Sequence, residues 1–258
     1  MKILLVILSL FVISCSPVKT KKAEQNNKNA LLTYEQSVYQ GAKILKSGQP
    51  NIAIQHYFDP VINHCNNKYR NSKTKNYSSR GTTESVYYML MAAADEDKRG
   101  AKIIPYFCAK ALYLKGFAKI NLKQVESAKI WLEKALELSP VNSSFLSELG
   151  FILHAQKNWK QALNVYYKAE EYSKVYTPKE IRHIELTRAM RGIGFSLVEL
   201  GELDKAEEKY RQCLEIIPND KKSLIEIEYI RKLRLKLKEQ KNPKSVFEWR
   251  DSATSKYV

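Results

Sequence analysis

In four places along this chain a glycine stands twelve residues before an alanine: Gly41 and Ala53, Gly116 and Ala128, Gly150 and Ala162, Gly194 and Ala206. Four residues beyond each alanine comes a bulky side chain, Tyr57, Leu132, Tyr166 or Tyr210, and three further on stands Pro60, Ala135, Ala169 or Cys213. Spacings of four and seven fall on one face of an α-helix. Small residues at the Gly and Ala positions let two antiparallel helices approach closely, the bulky residue fills the space beside them, and the third small one admits the next unit. The repeated unit is therefore a helical hairpin. From residue 33 onward no stretch shows sustained alternation of apolar and polar residues, so a sheet-based fold is not expected.

Leu149, Gly150, Ala162, Tyr166 and Ala169, then Gly194, Leu197, Gly201, Ala206, Tyr210 and Pro218, and then Gly116, Ala128, Ala135 and Pro140 resemble the tetratricopeptide repeat. That pattern runs for about 34 residues through Gly, Ala, an aromatic residue, Ala and a closing Pro. The resemblance implies an all-α fold, a right-handed superhelical stack of antiparallel helix hairpins. The departures are specific. Ala162 to Ala206 is ten residues longer than one repeat, an excess placed in 170–185 as extended helix ends around Thr177 and Pro178. Ala53 to Ala128 spans 75 residues, seven more than two repeats, and a helix over 83–96 with Val86, Leu90 and Ala93 on one side is expected to fill that gap as half a degenerate hairpin. Residues 220–241 read as a capping helix, which such arrays require, and 242–258, with Phe247 and Trp249, as a C-terminal tail.

Ahead of the array, Lys2 precedes an apolar stretch over 3–13, too short for the roughly twenty residues a spanning helix needs. Val12-Ile13-Ser14-Cys15 follows and resembles the lipobox of bacterial lipoproteins, which implies a signal peptide over 1–14 and lipidation of Cys15. Ser16 in place of Asp resembles the pattern sorted to an outer membrane in Gram-negative cells, facing the periplasm. Residues 15–33 carry four lysines against one acid and too little apolar content to pack, so they read as a tether of roughly 20–25 Å mean span. The formal charge of +16, from 43 Lys and Arg against 27 Asp and Glu, would usually raise nucleic acid as a partner. Outside the cytoplasm nucleic acid drops away. The partners expected are an envelope protein or peptide, the membrane through the lipid anchor, and an acidic glycan or lipid as the alternative.

In the tetratricopeptide family the first helix of each hairpin lines the concave surface, and the residue after the Gly points into it. Here those residues are Phe117, Phe151 and Phe195, and 34 residues beyond the last stands Tyr229. Aromatic faces at hairpin spacing suit a peptide offering apolar side chains, because each ring gives much contact area at small entropic cost. Tyr113, His154, Arg188 and Arg191 complete the candidate groove, the two arginines to receive an acidic group. The alternative surface is a basic loop over 66–82, with Lys68, Arg70, Lys73, Lys75 and Arg80 and no acid before Gly81, together with the basic C-terminal helix, the repeats then serving as a rigid carrier. Catalytic motifs are lacking: the four histidines stand far apart, and neither a nucleophile elbow nor a phosphate-cradling glycine loop occurs. No enzyme activity, cofactor or metal site is expected. With Cys15 acylated and Cys213 at a buried small-residue position, Cys65 and Cys108 form the one pair to test.

Overall fold

The computed structural model describes residues 33–241. The expected signal peptide over 1–14, Cys15, the expected tether up to residue 32 and the tail over 242–258 lie outside the described residues. Helix α1 (33–46) turns at Gly48 into α2 (Pro50–Ala53), which runs through a π-helical turn (Ile54–Phe58) into α3 (Asp59–Tyr69). Strand β1 (Lys75–Ser78), helix α4 (Thr82–Ala94) and strand β2 (Ala101–Ile104) follow. Three hairpins come next: α5 (Tyr106–Asn121) with α6 (Val125–Leu138), α7 (Ser143–Ala155) with α8 (Trp159–Val175), and α9 (Lys179–Glu199) with α10 (Leu203–Ile216). Helix α11 (Lys221–Lys241) packs on α10 and closes the stack. The fold is an α-solenoid of helix hairpins.

The glycines act through close approach. A Cβ on Gly150 would lie 2.6 Å from the Tyr166 ring, and one on Gly194 2.7 Å from the Tyr210 ring, so each bulky residue fills the space its glycine leaves. Tyr166 is held from both sides, because Gly192 of the next hairpin also faces its ring. Seven residues after each repeat glycine stands the turn residue, Gly48, Lys123, Lys157 or Gly201, all with φ between 58° and 80°. The residue after each turn donates its amide back five residues into the first helix, as from Asn158 to the Leu153 carbonyl at 2.8 Å and from Glu202 to the Leu197 carbonyl at 2.8 Å. This is the Schellman arrangement that satisfies the last carbonyls of a helix.

In the first hairpin the π-turn shifts the pattern by one residue. Phe58, fully buried, takes the place expected of Tyr57 and meets Gly41, while Tyr57 is only half-buried. Three residues on, buried Val61 occupies the small-residue position, and Pro60 points outward. The extra residue in the turn accommodates a proline that has no amide to give to the helical ladder.

Two expectations are corrected between residues 66 and 105. Helix α4 is not half a hairpin: it is the crossover of a two-stranded parallel sheet, with Lys75 opposite Ala101 and Ser78 opposite Ile104. The first hairpin packs directly on α5, so the long spacing from Ala53 to Ala128 holds one repeat step and one inserted β–α–β unit. Four-residue strands are too short to show as alternation in the sequence. Nor is 66–82 a loop, since α3 reaches Tyr69 and β1 begins at Lys75.

The inserted unit lies along the ends of the later hairpins. Tyr77, Tyr88 and Ala92 pack with Val141, which precedes α7, and with Tyr172 and Tyr176 at the end of α8. Ser139 donates its hydroxyl to the Ser78 carbonyl, and Ser78 donates its own to the Pro105 carbonyl at 2.8 Å. Arg80 reaches furthest. Its Nη1 donates to both Glu185 oxygens at 2.8 and 2.9 Å, and its Nε and backbone amide donate to Glu84 at 2.7 and 2.6 Å. The ten additional residues between Ala162 and Ala206 are the extended ends of α8 and α9, the segment that carries Tyr172, Tyr176 and Glu185. Both departures from the repeat length thus meet in one contact.

Candidate partner-binding face

The first helices α5, α7 and α9, continued by α11, carry the residues expected to line the groove. Phe151 on α7 and Tyr229 on α11 stand 48% and 50% exposed. Phe117 and Phe195 do not. Phe117 packs beside the core of the first two hairpins, and the Phe195 ring lies 4.8 Å from His154 and 6.1 Å from Trp159. Tyr113 stacks on Phe145 at 4.6 Å and belongs to the floor. Its hydroxyl is held well above the ordinary phenol range by burial first and then by the nearby Glu148 carboxylate.

His154 is a packing residue with a polar tip. It lies 5.0 Å from the Tyr166 ring, and its Nε2 is 2.7 Å from the Ser196 hydroxyl. Burial lowers its pKa from 6.5 to about 4. The folded protein therefore holds it neutral while the unfolded chain protonates below pH 6.5, so its contribution is complete above that pH and is lost as pH falls toward 4. With allowance for solvent screening at its open edge, the expected loss is about 1–2 kcal/mol. Denaturant unfolding of the wild type at pH 7 and pH 4.5 reads it, and His154→Gln removes this part of the slope. The carboxylates held low, among them Asp97 at about 2 through its bonds to Arg99, act below that window.

Neither candidate arginine is uncommitted. Arg188 pairs with the buried Glu148, and Arg191 Nη1 lies 3.0 Å from Asp220. Burial works against the Arg188 charge, and Glu148 and Tyr113 more than restore it. At the other end of the same face, Glu35, Val38, Tyr39, Tyr106, Phe107 and Lys110 line a cavity of about 290 Å³ between α1 and α5. Among the described residues no three His, Cys, Asp or Glu side chains are placed to hold a metal ion, and no helix is long and apolar enough to cross a membrane.

The candidate basic surface divides. Lys75 is paired with Asp95 and, at 3.2 Å, with Asp97, and Arg80 is buried in its pair with Glu84 and Glu185. Lys68, Arg70 and Lys73 remain on the exterior. Cys65 and Cys108 are joined in a disulfide between α3 and α5, and Cys213 is a buried free thiol.

Tetratricopeptide-repeat family models match residues 109–142 and 141–219. The chain carries tetratricopeptide repeats over that span, the three hairpins from α5 to α10. No curated protein matches this chain. Solved structures similar to this chain include three repeat proteins or domains. The first repeat domain of Spaghetti (RPAP3), bound to the HSP90 peptide SRMEEVD, is 20% identical with a TM-score of 0.43, over 49% of this chain and 93% of that one. The N-terminal domain of stress-induced protein-1 from C. elegans is 21% identical with a TM-score of 0.41, over 48% and 94%. The MamA RS-1 ArsTM double mutant is 16% identical with a TM-score of 0.49, over 86% and 97%.

Proposed function

We propose that this protein is a membrane-tethered scaffold: a bacterial envelope lipoprotein, lipidated at Cys15, whose repeats capture a protein or peptide partner across the face of their first helices. In a Gram-negative cell it would stand on the outer membrane and face the periplasm. The observation that carries the reading is the pair Phe151 and Tyr229. Both rings are half exposed at positions set by the repeat frame, where the hairpin packing has no use for them. Phe195, packed against His154 and Trp159, occupies the same frame position on the helix between them in sequence. Aromatic side chains that keep an open face beside a rigid floor are the usual anchors of protein recognition.

The Cys65–Cys108 bond supports the compartment, because structural disulfides persist where the surroundings are oxidising and are rare in the cytosol. The test is a crosslinking pull-down from envelopes with the full-length lipoprotein, comparing the wild type with the Phe151→Ala, Tyr229→Ala double variant. Both side chains are exposed, so the melting temperature should hold. Loss of one abundant protein from the variant is the expected result, and equal recovery overturns the reading.

A further inference from the structure

Away from the first-helix face, a cleft of about 370 Å³ opens between α3, the two-stranded sheet and the end of α6, lined by Cys65, Asn66, Tyr69, Arg70, Asn76, Ile104 and Leu138. Its volume falls at the lower end of the range for small-molecule sites, about 300–1,000 Å³. Three cations gather at Tyr69. Lys68 Nζ and Lys102 Nζ lie 5.8 and 5.5 Å from the centre of its ring, and Arg70 follows it in the chain with its side chain in solvent. Among the described residues no carboxylate lines the cleft. Three acids of the inserted unit are engaged elsewhere: Asp95 and Asp97 hold Lys75, and Glu84 holds Arg80. Arg70 in its lining and Lys102 over the Tyr69 ring give the cleft a positive mouth.

The walls differ in chemistry. Asn66 and Asn76 give amide groups, while Ile104, Leu138 and the Tyr69 ring give apolar surface. A bare inorganic anion would leave the apolar wall unused, and an aliphatic acid would leave the buried Asn76 Oδ1 unsatisfied, whose Nδ2 already donates to the Tyr69 carbonyl at 3.2 Å. A sugar offers hydroxyls around its edge and C–H groups on its face. We propose that this cleft binds an anionic sugar, a saccharide unit carrying a phosphate or a carboxylate, with Arg70 and Lys102 taking the charge and Asn66 and Asn76 the hydroxyls. The site is independent of the first-helix face and stands whether or not that face captures a protein.

The test is calorimetric titration of the full-length protein with glucose 6-phosphate and with glucuronic acid, alongside glucose and inorganic phosphate. Saturable binding of both acidic sugars is expected, weakened by added salt as screening requires. Lys102→Gln and Arg70→Gln should each weaken it about tenfold, the loss from one charge-assisted hydrogen bond. Both side chains are exposed, so unchanged melting shows that the variants fold. Absence of saturable binding, affinity unchanged in both variants, or phosphate binding as tightly as glucose 6-phosphate each overturns the proposal. A second pair of probes separates the sources of such a sugar. Retention on immobilised polygalacturonate, lost in Lys102→Gln, assigns a polymer; sedimentation with phosphatidylinositol phosphate vesicles, lost in the same variant, assigns a lipid head group. Retention on either probe that survives both substitutions overturns the site.

Discussion

Replacing Arg80 by alanine should lower the free energy of unfolding by about 3–5 kcal/mol at pH 7, the range for removing one partner of a buried ion pair. Lys73→Ala, seven residues away on the exterior, should stay within about 0.5 kcal/mol. The asymmetry follows from burial. Arg80 and Glu84 are 6% and 1% exposed at their side chains, so without the guanidinium Glu84 keeps only the residue-80 amide and Glu185 only the Thr177 hydroxyl, and no opposite charge answers either carboxylate. Burial already raises the Glu84 carboxyl above its ordinary range, with Arg80 pulling the other way, and burial likewise works against the Arg80 charge until Glu84 and Glu185 outweigh it. In Arg80→Ala the opposing charge is gone and the folded-state pKa of Glu84 rises further. A raised carboxylate binds protons in the folded state, so the deficit should shrink as pH falls from 7 toward 4.5. Urea unfolding of both proteins at the two pH values checks this, and a deficit independent of pH would mean that lost packing, not charge, is responsible. Arg80→Met combined with Glu84→Gln and Glu185→Gln should recover most of the loss, because no uncompensated charge remains. Hydrogen exchange in the Arg80→Ala protein should rise at the end of α8 and the start of α9, where the inserted unit is docked.

That contact also marks where the sequence was legible and where it was not. Gly150, Ala162 and Tyr166 announce a hairpin because each meets a partner a fixed distance along the chain, and the extended ends of α8 and α9 were readable as excess over a constant period. The π-turn at Ile54–Phe58 was not, since a one-residue shift that exchanges Tyr57 for Phe58 and Pro60 for Val61 leaves every residue apolar enough to fit either frame. Excess length before Ala128 fitted two helices as well as one repeat step and an insertion, and strands of four residues give alternation too little length to appear. Charges were read least well. Arg80 and Lys75 have the same sequence surroundings as Lys68 and Arg70, yet Arg80 meets Glu185, 105 residues away, while Lys102 joins Lys68 at Tyr69 from the far side of the insertion. Within the aromatic stripe, period alone equated Phe151 with Phe195. The difference lies in His154 and Trp159, which cover one ring and not the other.

Cys65→Ala with Cys108→Ala, or reduction of the wild type, should cost about 2–4 kcal/mol and lower the melting temperature by roughly 6–12 °C for a loss near 3 kcal/mol. The upper figure comes from chain entropy: the bond closes a loop with a sequence separation of 43, and freeing such a loop adds about 4 kcal/mol of conformational freedom to the unfolded chain. The loss is not expected to unfold the array, because Val38, Phe58, Val61, Phe107 and Ala111 still bury the first hairpin against α5. Cys213 supplies the control. Its thiol is buried, faces the Thr187 carbonyl at 3.7 Å, and is raised by burial above the ordinary thiol range. It should resist alkylation in the folded protein and remain a free thiol after gentle denaturation without reductant. Wild type and Cys213→Ala should therefore respond to reductant alike, while the double variant should not respond. Equal melting of reduced and oxidised wild type would show that the first hairpin is held by packing alone. The position of the bond gives the reason to expect otherwise. It joins residues 33–69, which no repeat model matches, to the matched hairpins across the longest detour of the described chain, so it holds the array where repeat-to-repeat continuity is weakest.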